Sequence, residues 1–403
     1  MLSIPTDTVE LTEQQRLVRE SIRDICDSYD DAYWRERDAN GEYPQEFVDD
    51  LAEYGWLGIL LPEEYGGAGM GTSEVMVMME EIAASGGGFA GAQAIHGGIY
   101  NSVPIVHYGS EELKSELLPA VASGEKSIQA FGLTEPNAGS DSTSIETRAE
   151  LDGDEYVING QKIWTSRVDA SDYLVLVART TPKSEVEKKT RGMSMFLVDI
   201  DEATSDGSLE MRAIPKTASN AVHAFELWFE DLRIPARNLI GEEGNGFYQV
   251  LDGLNEERLV IAAECIGLGE VALDRGVAYA REREVFGRPI GSNQAIQHPL
   301  AKAYANVQAA KQMTYAAARV VDDPNRTDVD VGAQANMSKY LASEAAFEAA
   351  DAAVQTHGGF GVAREYDVER YFREARLTRL VPITQQLILN YLSERVLDLP
   401  RSY

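Results

Sequence analysis

Two groups of residues in this chain are equipped for chemistry: a glycine-containing, hydroxyl-bearing run with an aromatic partner, and a carboxylate on an apolar helix face. The run is Gly132-Leu133-Thr134-Glu135-Pro136-Asn137-Ala138-Gly139-Ser140-Asp141, and Lys162-Ile163-Trp164-Thr165-Ser166 follows downstream. Two glycines and few bulky side chains let the backbone approach a flat cofactor and leave N–H and hydroxyl groups free for its polar edge. Trp164 supplies an aromatic wall. Taken alone, Glu-Pro, Asn-Ala-Gly and Ser-Asp are ordinary turn chemistry. The carboxylate is Glu257, which shares one helical face with Val250, Leu254 and Ile261. An apolar stripe desolvates a carboxylate, so its pKa is expected to rise toward the range of a general base. Glu256 points elsewhere and is expected at the surface. Glu264, two turns on, is a weaker second candidate.

Further segments fit with the first two. They are Arg283-Glu284-Val285-Phe286-Gly287-Arg288-Pro289-Ile290 with Gln294, and Gln355-Thr356-His357-Gly358-Gly359-Phe360-Gly361-Val362 continued by Glu365, Arg370 and Glu374. In this order and spacing, over nearly the whole chain, they resemble the acyl-CoA dehydrogenase family of flavoproteins. The resemblance implies FAD clamped between a β domain and C-terminal helices. It places Thr134 and the backbone from Phe131 to Leu133 at the pyrimidine side of the flavin, and Trp164 against the ring. Ser166 stands where many relatives have Thr and keeps the hydroxyl for flavin N5. Ser140 would lie near the diphosphate and the pantetheine arm of the substrate. Arg283, Gln294 and the Gly358-Gly359 segment would reach the diphosphate and adenosine across a subunit interface, since guanidinium binds diphosphate bidentately. Gly139, Thr165, Phe286, Gln355, Thr384 and Gln386 fall on cofactor-binding positions of the same motifs. Asn255 and Arg258 would meet the CoA portion of the substrate.

The implied reaction removes two hydrogens from adjacent carbons of an acyl thioester: a base takes the α-proton, and the β-hydrogen leaves as hydride to the flavin. Many relatives carry the base in a Tyr-Glu-Gly-Thr segment. Here Val381-Pro382-Ile383-Thr384 stands instead, so Pro382 replaces the Glu and also lacks the N–H that helps bind the thioester carbonyl. A second branch, including isovaleryl- and long-chain-type enzymes, places the base in a segment like Leu-x-x-Glu-Arg. Leu254-Asn255-Glu256-Glu257-Arg258 matches it, and Glu257 aligns with the base. Resemblance also implies electron-transfer flavoprotein as acceptor and a homotetramer of paired dimers. The alternatives are an acyl-CoA oxidase-like enzyme and a non-catalytic flavin-binding assembly or protective protein. The acyl pocket is expected near Ala94 to Ser102 and Val381. The small Gly97, Gly98 and Val381 suggest room for a medium, long or branched acyl group.

Composition agrees with a soluble globular enzyme. The 403 residues are 44% hydrophobic, enough for a full core. Acidic residues number 66 against 36 basic, of which ten are lysine, for a net charge of -30. Nucleic acid and anionic membrane are poor partners for such a surface. The excess acid with scarce lysine suggests a halophile's cytoplasm. Cys26 and Cys265 provide neither a disulfide framework nor metal-ligand spacing, and no two of the five His are paired at i, i+4, so no metal site is expected. His357, beside two glycines, is expected to pack rather than react. No signal-peptide pattern and no apolar run long enough to span a membrane occur, so a cytoplasmic location without membrane insertion is expected.

The elements that position these residues follow from the hydrophobic period. Helical spacing predicts an N-terminal α-helical domain over 1–126. Short β-rich runs at Tyr156 to Ile158, Tyr173 to Ala178, Met195 to Val198 and Phe225 to Phe229 predict an antiparallel, barrel-like β domain over 127–240. Asp152-Gly153 and Asn159-Gly160 read as hairpin turns. Long Ala/Leu/Glu-rich segments predict a C-terminal four-helix bundle over 241–403, with Pro324 to Asp330 connecting two helices. The class is α+β.

Overall fold

The computed structural model describes residues 2–321 and 327–401. Seven helices come first: α1 (Glu13–Cys26), α2 (Asp31–Asn40), α3 (Gln45–Glu53), α4 (Thr72–Ile82), α5 (Gly88–Tyr100), α6 (Val103–Tyr108) and α7 (Glu111–Ala122). Local chemistry sets their ends. Thr12 caps α1 by accepting from Gln15 N at 3.1 Å while the Gln15 side chain accepts from Thr12 N, a reciprocal capping box. Gly41 ends α2 in the left-handed conformation.

The middle of the chain holds β1 (Ala130–Gly132), β2 (Arg148–Asp152), β3 (Glu155–Ser166), β4 (Tyr173–Arg179), β5 (Met193–Asp199), the short α8 (Ile200–Ser205), β6 (Leu209–Ala213), β7 (Ala224–Pro235) and β8 (Leu239–Ile240). They form one sheet in the order β6-β7-β3-β2-β4-β5-β8, with β1 added parallel to β4. The remaining pairs are antiparallel except for one bridge between β2 and β4. Strand alternation separates two cores. Leu174, Leu176, Phe196 and Val198 face Ile158, Leu227 and Phe229 inside the curled sheet. Val175, Val177, Met195 and Leu197 face outward and bury Leu113, Leu117, Leu118 and Val121 of α7.

Asp152-Gly153 is the expected hairpin turn, joining β2 to β3. Asn159-Gly160 is not a turn: β3 runs straight through it and shifts register against β7 between Ile158 and Gly160. The extra residue there is on β7; Gly160 has φ 151°, and a Cβ there would lie 2.6 Å from Thr147, so glycine serves a close backbone approach.

The C-terminal unit contains α9 (Gly246–Glu282), a β9–β10 ribbon (Glu284–Val285, Arg288–Pro289), α10 (Gln294–Val321), α11 (Asp328–His357), α12 (Val368–Thr378) and α13 (Gln385–Tyr391). Of the expected connection at 324–330, residues 324–326 lie outside the described residues, and α11 has already begun at Asp328. Alanines such as Ala303, Ala310, Ala346, Ala349 and Ala353 let α9, α10 and α11 approach closely. Leu259, Val260 and Ala263 of α9 also enter the core of the N-terminal helices, so α9 belongs to both helical layers.

Candidate active site

The two halves of the first motif pair meet through a buried charge. Lys162 Nζ lies 2.8 Å from Glu135 Oε1 and donates to Leu133 O at 3.0 Å. Glu135 also accepts from Glu146 N at 2.6 Å and Thr147 N at 2.9 Å. Burial opposes the Glu135 charge, but Lys162 and these donors hold its carboxyl below the ordinary range. Burial draws the Lys162 ammonium down to about 8. Ile163 N donates to Thr134 O at 2.9 Å, so the 132–135 loop is stitched to β3.

A second register shift, between Ile163 and Thr165, places Trp164 at φ 62° with its indole 55% exposed. A bulge of this kind turns a side chain out of the pleat and aims it at a ligand. Beside it, Thr165 Oγ1 is buried without a hydrogen-bond partner. Phe131, Leu133, Thr134 and Ser166 are half-buried, and Gly139 and Ser140 are exposed. An aromatic wall, an unsatisfied hydroxyl and open glycine backbone together fit a flat, polar-edged cofactor such as a flavin.

The carboxylates converge from α9 onto α5. Entry into α5 is set by Gly88, at φ 64°, where a Cβ would lie 2.5 Å from Glu374 Oε2. Glu374 accepts from Phe89 N at 2.7 Å and Ala90 N at 3.3 Å, a carboxylate at a helix N-terminus. Burial pushes the Glu374 carboxyl up to about 7. From that anchor α5 presents Gln93, His96 and Tyr100 to α9. Fully buried Glu264 accepts from Gln93 Nε2 at 2.8 Å and lies 2.7 Å from His96 Nδ1. His96 Nε2 faces Glu257 Oε1 at 3.4 Å, and the Tyr100 ring stacks on the imidazole at 5.3 Å. Burial disfavours the imidazolium, but Glu264 and Glu257 outweigh it and push His96 up to about 9.

Glu257 therefore does not sit on a dry apolar stripe. Its side chain keeps 22% exposure and meets an imidazole. Glu256 is not at the surface either: it is half-buried and raises the pKa of buried Tyr100. Arg258 donates to Asn255 Oδ1 at 2.7 Å, so these two residues hold each other. Arg167, which follows the Trp164 segment, donates to Gln93 O at 2.8 Å and Gln129 O at 3.2 Å. It also feels the charges of Glu264 and Glu257, which brings the β3 end and the α9 carboxylates to one locus.

Gly97 and Gly98 do not widen a pocket as expected. A Cβ at Gly97 would lie 2.3 Å from Gln129 O, and one at Gly98 would lie 3.3 Å from the Gln129 side chain. These glycines let α5 lie on the sheet domain. The Pro382 loop is shaped from below by buried Lys339, which donates to Thr378 O at 2.7 Å and Ile383 O at 3.1 Å. Thr384 caps α13 by accepting from Leu387 N, and Gln386 is exposed.

The remaining expected residues lie elsewhere. Arg283, Phe286, Gln294, Gln355, Gly358 and Gly359 are all exposed. They gather where the end of α11 meets the end of α9, as the Tyr279–His357 stack at 4.2 Å shows. About 38 Å of helix separates this end from Glu257. His357 is packed there, as expected. Among the described residues no cluster of metal-ligating side chains occurs, and no helix is long and apolar enough to cross a membrane. The pairing of Glu135 with Lys162 and the role of His96 have no signature in the sequence, since a lone histidine in a helix and a lysine within a strand carry no spacing signal.

Comparison with known proteins places this architecture. The acyl-CoA dehydrogenase N-terminal, middle and C-terminal domains match residues 12–125, 130–232 and 244–397. The acyl-CoA dehydrogenase FadE12 of Mycobacterium tuberculosis is 36% identical over 405 aligned residues, covering 99% of this chain and 100% of the relative. Butyryl-CoA dehydrogenase from Megasphaera elsdenii superimposes with a TM-score of 0.88 at 29% identity, covering 96% of this chain and 99% of the other. The FAD complex of PigA gives a TM-score of 0.88 at 25% identity, covering 97% and 99%. With all three domains matched in order, the chain belongs to the acyl-CoA dehydrogenase family, oxidoreductases acting on CH–CH groups.

Proposed function

We propose that the protein is an FAD-dependent acyl-CoA dehydrogenase in which Glu257 is the catalytic base. The observation that carries this reading is the placement of Glu257 against His96 of α5, the helix whose Gln93 carbonyl accepts from Arg167 just past Trp164, combined with a proline where the alternative base would stand. FAD, when bound, supplies the two-electron acceptor for the hydride leaving the β-carbon. Glu257 breaks the α-C–H bond by forming its own O–H bond. Trp164, Thr165 and Ser166 hold the flavin edge with Phe131, Leu133, Thr134 and Gly139. Ser140, Asn255 and Arg258 meet the CoA portion, and Thr384 and Gln386 approach the cofactor from the C-terminal side. Because Pro382 has no N–H, the thioester carbonyl must find a donor elsewhere, and Ile383 is the adjacent backbone N–H.

The remote set of Arg283, Phe286, Gln294, Gln355, Gly358 and Gly359 serves the cofactor of a neighbouring subunit, which makes the working unit an oligomer, a homotetramer by resemblance. The three units are 1–126, 127–240 and 241–403. Electron-transfer flavoprotein is the acceptor, the acyl group is medium, long or branched, and the location is a salt-rich cytoplasm. The Gly97 and Gly98 contacts lend no support to a wide pocket.

Anaerobic titration of the FAD-loaded protein with a panel of acyl-CoAs in high salt tests the reading. Wild type should bleach the flavin, and Glu257→Gln should slow bleaching by about 10²- to 10⁴-fold while still binding acyl-CoA. Unchanged bleaching in the variant would remove Glu257 from the role.

A further inference from the structure

The Glu264–His96–Glu257 line is not explained by a single general base. Fully buried Glu264 accepts from the Gln93 amide through Oε2, leaving Oε1 to the imidazole at 2.7 Å. The short 2.7 Å contact suits an Nδ1 hydrogen directed at Glu264 Oε1. The opposite ring nitrogen then decides the state of Glu257. If Nε2 carries hydrogen, it donates to an ionised Glu257. If Nε2 carries a lone pair, the 3.4 Å contact is favourable only when Glu257 is itself protonated and unable to take a substrate proton.

The surroundings leave this arrangement little freedom. His96 is buried beneath the Tyr100 ring, with one ring nitrogen toward each carboxylate. The imidazole meets Glu257 and Glu264 of α9 and Tyr100 of α5, and the charged groups acting on these three are Glu256 and Arg258 of α9 and Arg167 at the end of β3. Arg167 is engaged by the carbonyls of Gln93 and Gln129, and Arg258 by Asn255. Among the described residues, His96 is the cation within hydrogen-bond reach of Glu257.

We propose that His96 is the positioning residue of the base: clamped by Glu264, its imidazolium donates through Nε2 to Glu257 and keeps that carboxylate ionised and aimed at the substrate. The proposal rests on Glu257 as the base. No oxidant is involved in this step. The α-proton passes from carbon to the Glu257 oxygen, and both imidazole N–H bonds stay intact. The upward displacement of His96 by its two carboxylates is consistent with this state at neutral pH.

The test follows exchange of the acyl-CoA α-proton with deuterated solvent in FAD-loaded wild type, Glu257→Gln, His96→Gln and Glu264→Gln, as a function of pH. Glu257→Gln should abolish exchange. His96→Gln should move the acidic limb upward by about one unit, slowing exchange about tenfold on that limb, with KM retained, because the carboxylate loses its cation. A side chain that merely filled space would not move the limb. In parallel, ¹⁵N NMR should show the wild-type His96 ring titrating near 9, and the Glu264→Gln ring titrating lower. If Glu257→Gln still exchanges, the reading of Glu257 as base fails and the proposal with it. If Glu257→Gln is inert but His96→Gln keeps the wild-type limb, the proposal alone is overturned. Should His96→Gln not fold, the NMR titrations decide: a wild-type ring titrating near 6.5 overturns it.

Discussion

A buried charge is tolerated in a protein only when its partners are as fixed as it is, and Lys162 shows how narrow that condition can be. Its ammonium is fully buried and faces one carboxylate, Glu135, which also holds two backbone N–H groups of the next loop. Replacing Lys162 by Met should cost about 3–5 kcal/mol in chemical denaturation, because the buried Glu135 carboxylate loses its counter-charge. The double variant with Glu135→Gln should recover part of that loss, a non-additivity that a double-mutant cycle measures. His96 gives a second residue-scale expectation. Its folded-state value, about 9, lies above the ordinary 6.5. The associated stabilisation is therefore complete below pH 6.5 and is lost as pH rises through about 9, amounting to about 3 kcal/mol. Denaturation curves across that window should show a falling stability that His96→Gln lacks.

At the scale of elements, the site depends on where α5 is held. Glu374 of α12 caps its first turn, and Gly97 and Gly98 bring its last turns against the sheet domain at Gln129. A methyl group at Gly97 would collide with a backbone oxygen, which cannot move aside as a flexible side chain would. Gly97→Ala should therefore lower stability by about 1–3 kcal/mol through overpacking. It should also impair turnover of every acyl-CoA in a panel to a similar degree, since α5 carries His96. A selective loss of the longer acyl chains would instead make Gly97 part of the acyl pocket. The bulge at Trp164 acts at the same scale: one extra residue in β3 turns the indole outward and leaves the neighbouring Thr165 hydroxyl buried for a ligand to satisfy.

At the scale of the whole molecule, one helix separates the two groups of expected site residues. Glu257 lies near the start of α9 and Arg283 just past its end, about 38 Å apart along the axis. If Arg283 serves a neighbouring subunit, Glu257→Gln and Arg283→Ala should each be nearly inactive alone. Refolded together as mixed dimers, they should regain about a quarter of wild-type turnover, because half the dimers carry one intact composite site. No recovery on mixing would place both residues in the same subunit's chemistry.

What was legible in the sequence was what depends on local pattern. Strands at 156–158, 173–178, 195–198 and 225–229 were marked by short β-rich runs, and the family by motifs whose spacing a chain preserves whatever its packing. The carboxylate on α9 was visible as a position on a helix face. Asn159-Gly160 was misread because a glycine that lets a strand pass close to Thr147 has the same local signature as one that turns the chain. Gly97 and Gly98 were misread for a related reason: a missing side chain can make room for a ligand or for another backbone, and only the neighbour in space distinguishes them. His96 is 168 residues from Glu264 and 161 from Glu257. Whether Glu257 lies in a dry stripe or beside an imidazole is set by the docking of α5 on α9, an electrostatic fact that exists only once the helices are packed.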